Sequence, residues 1–480
     1  MRPLREAAPL RSAVTQPAPN PPRRWLLLLA LTGSLSMIFV DITVTAIAGP
    51  SIGAEFGLAA GGVSWIASSY LIALAALMAI GGRVGDLVGK RHAFFAGVVL
   101  FAAASALCGA APGPEVLFAG RVLQGVAACL MQPASASLVI EHFAPGERGK
   151  AMGIYIGIPM SFFALGPIIG GLLTEALGWR WVFFVNLPIA VAALALAFAA
   201  RPANRPSRDR SFDILSALLV ASGLPLAIYA LQEGSATDDE GRLLLLRPAY
   251  LAMLAGGLAL TVLFAVRQWR AERPLVHLSR FADPRIRANV LLIGIMQFAM
   301  ASLIVQGSIY AKDVLLYEPR KAGMSLMPML VPVIFLARSA GKLYDRRGVR
   351  PAARFGTVAA TGGLAAWGYG SLVESYAVIA CGMVLLGIGV SFIMSPANTD
   401  TLSRVGDEER GQISGLVQTA RQLGGAVGVA FAAALSGIAT AQGASLAASI
   451  AIAIFGGAAV AALGILVALR MPAGAPPARE

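Results

Sequence analysis

The chain has 480 residues, 57% hydrophobic and only 13% charged, with 53 glycines and a mean hydropathy of +0.73. A soluble domain carries about 25% charged residues, so half that fraction over such a length excludes a conventional soluble enzyme. The apolar residues fall in many runs of about 20, the length of one bilayer-spanning helix, which excludes a receptor with a single anchor.

In chain order, a proline-rich stretch over residues 1–24 reads as a disordered tail. A window of about 20 residues then predicts fourteen spanning helices, at 25–49, 63–82, 93–111, 115–139, 151–173, 181–200, 212–231, 248–266, 288–311, 322–341, 355–371, 377–397, 413–436 and 445–469. Residues 471–480 form a second tail. Backbone donors and acceptors in hydrocarbon need partners within their own element, so these runs are helices, and the alternation of a membrane β-barrel is not seen. Helix 1 is too long for the apolar core of a signal peptide and reads as its own insertion signal.

The net charge of +13 comes from 38 Lys and Arg against 25 Asp and Glu. Of the cations, 29 lie in the two tails and the even-numbered loops, 6 in the odd-numbered loops, and Arg121, Arg338 and Arg421 inside helices. Lys and Arg in short loops stay on the cytoplasmic side, so both termini are expected in the cytoplasm. The basic balance is then a topology signal with some attraction to anionic lipid, and nucleic acid is not an expected partner. Cys108, Cys129 and Cys381 each sit in an apolar run, and His92, His142 and His277 are scattered, so neither a disulfide framework nor a metal site is expected.

An internal repeat carries the strongest pattern. Gly82, Arg83, Asp86, Gly89, Lys90 and Arg91 after helix 2, and Gly341, Lys342, Asp345, Arg346, Gly348 and Arg350 after helix 10, both stand in G-[RK]-x-x-D-x-x-G-x-R. The glycines permit a tight turn between close helices, and an Asp among cations can form ion pairs that lock one conformation and release in another. Asp41 lies about sixteen residues into helix 1, where an ionised carboxylate is costly. A proton-exchanging group and a structural carboxylate held by Arg121 are the two readings of it.

These residues, with Asp41, Thr43 and Pro50 in helix 1, Arg121, Gln124 and Gly125 in helix 4, Gly166, Pro167, Gly170 and Gly171 in helix 5, and Arg421, Gln422, Gly424, Gly425 and Gly428 in helix 13, resemble the major facilitator superfamily. The resemblance is to its fourteen-helix drug:proton antiporter branch, the EmrB/QacA-like multidrug efflux transporters. It implies an all-α integral membrane fold of two six-helix bundles, residues 25–200 and 288–470, related by a pseudo-two-fold axis along the membrane normal. Residues 201–287 then carry two inserted helices, and a central cavity opens alternately to each side. Asp41 and Arg121 are the implied proton-coupling pair, and Gly166, Pro167, Gly170 and Gly171 the antiporter motif, expected to pack against the other bundle. The two repeated loops are implied conformational gates, and Thr43, Gln124, Tyr310, Arg421 and Gln422 implied cavity residues.

Three departures from the family pattern stand out: Phe162 for a glycine, Ala46 for an asparagine, and Tyr310-Ala311-Lys312 for Tyr-Leu-Gln. Lys312 beside Asp313 reads as a surface ion pair, and Met324, Met327 and Met329 as ordinary apolar packing, with a soft wall for varied substrates as the alternative. The expectation is a proton-driven exporter of small amphipathic compounds in a bacterial inner membrane. It is expected to act as a monomer without cofactor, with room for a periplasmic adaptor. The alternatives are uptake or facilitated transport of a metabolite on the same fold, and a non-transporting sensor. A membrane enzyme would need nucleophiles clustered at one interface, and a nucleotide-driven pump a G-x-x-x-x-G-K-[ST] loop; neither is present.

Overall fold

The apolar runs fold as helices throughout a computed structural model that describes residues 21–472 apart from 59, 208–209, 235–243, 272–273, 276–277, 318–320 and 322–323. Most of the two expected tails, and His277, lie outside the described residues. Among those described there is no strand. The long helices are α1 Pro21–Phe56, α2 Ala60–Val88, α3 Lys90–Gly109, α4 Pro114–His142, α5 Arg148–Leu177, α6 Asn186–Ala200, α7 Ile214–Gly234, α8 Pro248–Arg270, α9 Pro284–Ile309, α10 Met327–Arg347, α11 Val349–Leu372, α12 Tyr376–Ser403, α13 Arg410–Ala441 and α14 Leu446–Arg470. A single helical turn, Trp181–Phe184, precedes α6.

Local chemistry sets the ends. Proline opens α4, α8 and α9, where its missing N–H costs nothing. Asp283 and Ser445 cap α9 and α14 by accepting from the N–H groups of Arg285 and Ala448. By length and composition eleven of these helical stretches can cross a membrane, and α5 makes twelve if its segments Pro145–Phe163 and Ile168–Leu177, bent by 45°, count as one. That is fewer than the fourteen spans expected. The shortfall falls on α10, whose last turns carry Lys342, Asp345, Arg346 and Arg347, and on α11, which opens with Arg350 and Arg354.

Helix neighbours repeat in the two halves of the chain. In the first, α1 packs on α5 and α6, α4 on α2 and α3, and α3 on α6; in the second, α9 packs on α13 and α14, α12 on α10 and α11, and α11 on α14. Between the halves, α5 meets α10 and α2 meets α13, a pair of contacts that exchange under the same correspondence. The hairpin α7–α8 lies against one seam only, with α7 touching both α2 and α13.

The approaches between halves are made by small residues, as in membrane helix packing generally, where little hydrophobic force acts between helices. Gly82 faces Gly411, and Gly149 faces Gly341, backbone against backbone. A Cβ on Gly153 would lie 2.7 Å from the Arg338 Cα. All these contacts lie between the middle of the molecule and the end that carries the repeated loops, here called the basic end.

Gly153→Leu is expected to wedge α5 from α10, and spin labels at the exposed positions Gly146 and Arg347 should then report a longer distance than in the parent; an unchanged distance would contradict the wedge. At the base of the α7–α8 hairpin, burial raises the Asp213 pKa, but hydrogen bonds from Arg267 and Ser216 outweigh it and hold the group at about 2. A carboxyl depressed in the fold contributes stability above its unfolded value near 3.9 and loses it as pH falls toward 2. Asp213→Asn should therefore lower the melting temperature slightly at pH 7 and flatten the parent's decline on acidification.

Candidate functional site

Asp41 is fully buried in the N-terminal half, between α1, α4 and the start of α6. Its Oδ2 receives Arg121 Nη1 at 2.5 Å, and its Oδ1 receives Gln124 Nε2 at 3.0 Å and Asn186 Nδ2 at 3.1 Å. Ser105 Oγ is a second acceptor for both amides. Arg121 is itself held by Gln124 Oε1 at 2.7 Å and by the Ile66 carbonyl at 2.8 Å, with the Tyr70 ring 4.7 Å from its guanidinium carbon. A buried pair resists removal of one partner by about 3–5 kcal/mol, because the other charge is left uncompensated. Asn186 and Ser105 were not expected in this network; a polar residue opening an otherwise apolar α6 was the signal for the first.

The central cavity is a different compartment. A space of about 300 Å³ is bounded by α1, α2, α4, α5, α7, α9 and α13, and a narrower one of about 30 Å³ shares with it Phe39, Met160, Gln297, Met300 and Arg421. On α1, Ile38, Phe39 and Ile42 turn to this space, while Asp41 lies on another face. Arg421 and Gln422 line it, with Gln132 and Gln297, and no carboxylate stands among its lining residues. Ile228 of the inserted α7 closes part of the wall.

Three of the expected cavity residues stand elsewhere. Gln124 is spent on the Asp41 network. Thr43 is turned to its own helix, its hydroxyl donating to the Phe39 and Val40 carbonyls, and is covered by Gly166. Tyr310 is buried at the start of a π-helical turn, Tyr310–Val314. In that turn Lys312 and Asp313 form no ion pair within 4 Å among the described residues. The methionines of the cavity are Met152, Met160, Met300 and Met394, whereas Met329 is packed under Gly387 and Met324 is half exposed.

At the basic end, each repeated loop reaches the opposite half. Asp86 accepts from the N–H groups of Gly411 and Gln412 at the start of α13, both at 2.9 Å, and Asp345 from those of Gly149 and Lys150 at the start of α5, at 2.8 and 3.0 Å. The aspartates were expected to pair with cations; their main partners are helix N-termini, where orphan N–H groups and the helix dipole favour a carboxylate. Lys90 is the supporting cation, 3.7 Å from Asp86 and 2.6 Å from Glu141, and it also donates to the Asp407 carbonyl. Arg83 donates to the Ser211 carbonyl at 2.7 Å, Arg91 lies over the Phe95 ring, and Arg346 is exposed. Gly89 and Gly348 turn the chain at φ 92° and 76°, a region that other residues enter only at a cost.

The antiporter glycines were expected against the other bundle. Instead Gly166 and Gly170 lie on Thr43 and Val44 of α1, in the same half, and nothing stands within 4 Å of a Cβ at Gly171. Side-chain contacts of Pro167 lie outside the described set. The glycines of α5 that do meet the other half are Gly149, Gly153 and Gly157, against Gly341, Ala337 and Ile334. Their G-x-x-x-G-x-x-x-G spacing was visible in the sequence and marks one close-packing helix face.

Comparison with known proteins agrees with this arrangement. The model of the Major Facilitator Superfamily matches residues 29–429. The chain is 32% identical over 440 residues to a puromycin resistance protein of Streptomyces alboniger, covering 91% of this chain and 86% of that protein. It is also 32% identical over 413 residues to a tetracenomycin C resistance and export protein of Streptomyces glaucescens, covering 85% and 75%. Among solved structures, the proton:xylose symporter XylE, at 14% identity, superposes with a TM-score of 0.67 over 94% of this chain and 97% of that one. With most of its length matched by the family model and relatives above 30% identity across it, the chain belongs to the major facilitator superfamily of membrane transporters.

Proposed function

We propose that the protein exports small amphipathic compounds, of the antibiotic or toxic-metabolite kind, in exchange for protons. The relatives named for resistance to puromycin and for resistance to and export of tetracenomycin C support the export direction. The observation that carries the coupling is the sealed Asp41–Arg121 pair beside, and outside, an amphipathic cavity. Protonation of Asp41 removes the charge that holds Arg121, Gln124 and Asn186 together, and so alters how α1, α4 and α6 pack. Gly166 and Gly170 clasp α5 to α1 at Thr43 and Val44, which lets that change reach α5 and its contact with α10.

In this reading α10 and α11 also span, giving fourteen crossings in two six-helix bundles, residues 25–200 and 288–470, with 201–287 between them. The basic end faces the cytoplasm of a bacterium, and the chain works as a monomer in the inner membrane. The Asp86 and Asp345 caps then hold the cytoplasmic side shut while the cavity serves the other side. A proton entering across 100 mV supplies about 2.3 kcal/mol, enough for a gradient of roughly 50-fold.

In proteoliposomes, adding an exported aromatic compound is expected to move protons with the parent chain and not with Asp41→Asn/Arg121→Gln, which removes both charges together and so leaves no orphan; export without proton movement would overturn the antiport. Asp86→Asn and Asp345→Asn should each weaken the closed basic end by about 1.5–3 kcal/mol, the worth of a hydrogen bond to a charged group. A cysteine placed at Asn398, which lines the narrow space, should then react faster with an impermeant thiol reagent applied from the basic side. Unchanged labelling in both variants would remove the aspartates from the gate.

A further inference from the structure

We propose that the central cavity takes aromatic amphiphiles bearing an acidic group, a carboxylate or phenolate held by Arg421 with a hydroxyl or N–H donated to Gln132, and discriminates against lipophilic cations. This rests on the reading of that cavity as the substrate site.

Arg421 lies eleven residues beyond Arg410, the first residue of α13, or roughly 16 Å at 1.5 Å per residue, about the middle of a 30 Å hydrocarbon core. Its guanidinium stays protonated. Arg421 is half-buried, whereas the cations Arg121, Lys90 and Arg410 have Asp41, Glu141 and Asp407 in reach. No carboxylate lies within 4 Å of Arg421 among the described residues, and none lines the cavity. The cavity therefore carries a fixed positive charge at a depth where charges demand partners. A ligand anion supplies one; a ligand cation adds like-charge repulsion.

A second observation points to a ligand independently. Gln132 is 1% exposed and lines the larger space, yet its Oε1 accepts no hydrogen bond. A buried acceptor left open costs free energy that a ligand donor would recover. The same wall also carries Phe39, Phe163, Met160 and Met300. The two rings meet edge to face at 6.0 Å, and the thioethers adapt to varied shapes.

The test uses two probes with the same three-ring xanthene core and opposite charge at neutral pH, fluorescein and rhodamine 123, titrated by fluorescence polarisation against the full purified chain in lipid nanodiscs. The parent is expected to bind fluorescein about tenfold or more tightly than rhodamine 123. Arg421→Lys should keep that preference, Arg421→Gln should abolish it, and Gln132→Glu should shift it toward rhodamine 123. Equal binding of the probes by the parent, or a preference that survives in Arg421→Gln with an unchanged melting temperature, overturns the proposal. Ala301→Trp, which fills the larger space, separates this from the underlying reading. If it removes binding of both probes while the parent shows no charge preference, the charge selection alone falls; if fluorescein still binds as in the parent, the cavity is not the site and both readings fall.

Discussion

Helices in hydrocarbon gain little from hiding apolar surface from one another, so what holds two bundles together has to be close backbone contact. In this protein that contact is concentrated where glycine meets glycine across the seam, Gly82 with Gly411 and Gly149 with Gly341. A side chain at any of the four would keep the helices apart. Only because they touch do Asp86 and Asp345 reach the first N–H groups of α13 and α5. The aspartates are thus a consequence of the glycines, and the repeated motif brings together two functions, approach and capture, within five residues of each other.

The same economy governs charge. Of the ionisable groups placed deep in the helices, Asp41 and Arg121 satisfy each other inside one half, with amides filling their remaining bonding positions. Arg421 stands apart, in the space between halves. Two kinds of charge therefore coexist among these helices: one buried and neutralised by its surroundings, the other half-buried and facing the cavity.

Much of the fold was legible in the chain. Runs of about 20 apolar residues give helices in water-free surroundings by necessity, and the duplicated G-[RK]-x-x-D-x-x-G-x-R announced the internal repeat. Asp41 with Arg121 was legible as well, since two opposite charges far inside apolar runs have few other ways to be satisfied. What could not be read was facing. Thr43, Gln124 and Tyr310 are polar residues in the right helices, yet each is turned away from the cavity, because a helix offers several directions and only the neighbours decide among them. The partner of Gly166 and Gly170 was missed for the same reason, while Gly149, Gly153 and Gly157 were missed although their spacing was in plain view. The span count fell short at α10 and α11, where charges needed at the basic end dilute the hydropathy of helices that pack like the rest.

The separation of Asp41 from the cavity has an evolutionary consequence. Residues such as Met160, Met300, Phe163 and Gln297 can be exchanged under selection for a new toxin without disturbing the hydrogen bonds around the carboxylate, since none of them touches it. A lineage of such proteins can therefore diversify in what it recognises while inheriting the buried Asp41–Arg121 network unchanged. The cost of that freedom is that selectivity is not policed by the buried carboxylate and has to be enforced by the walls alone.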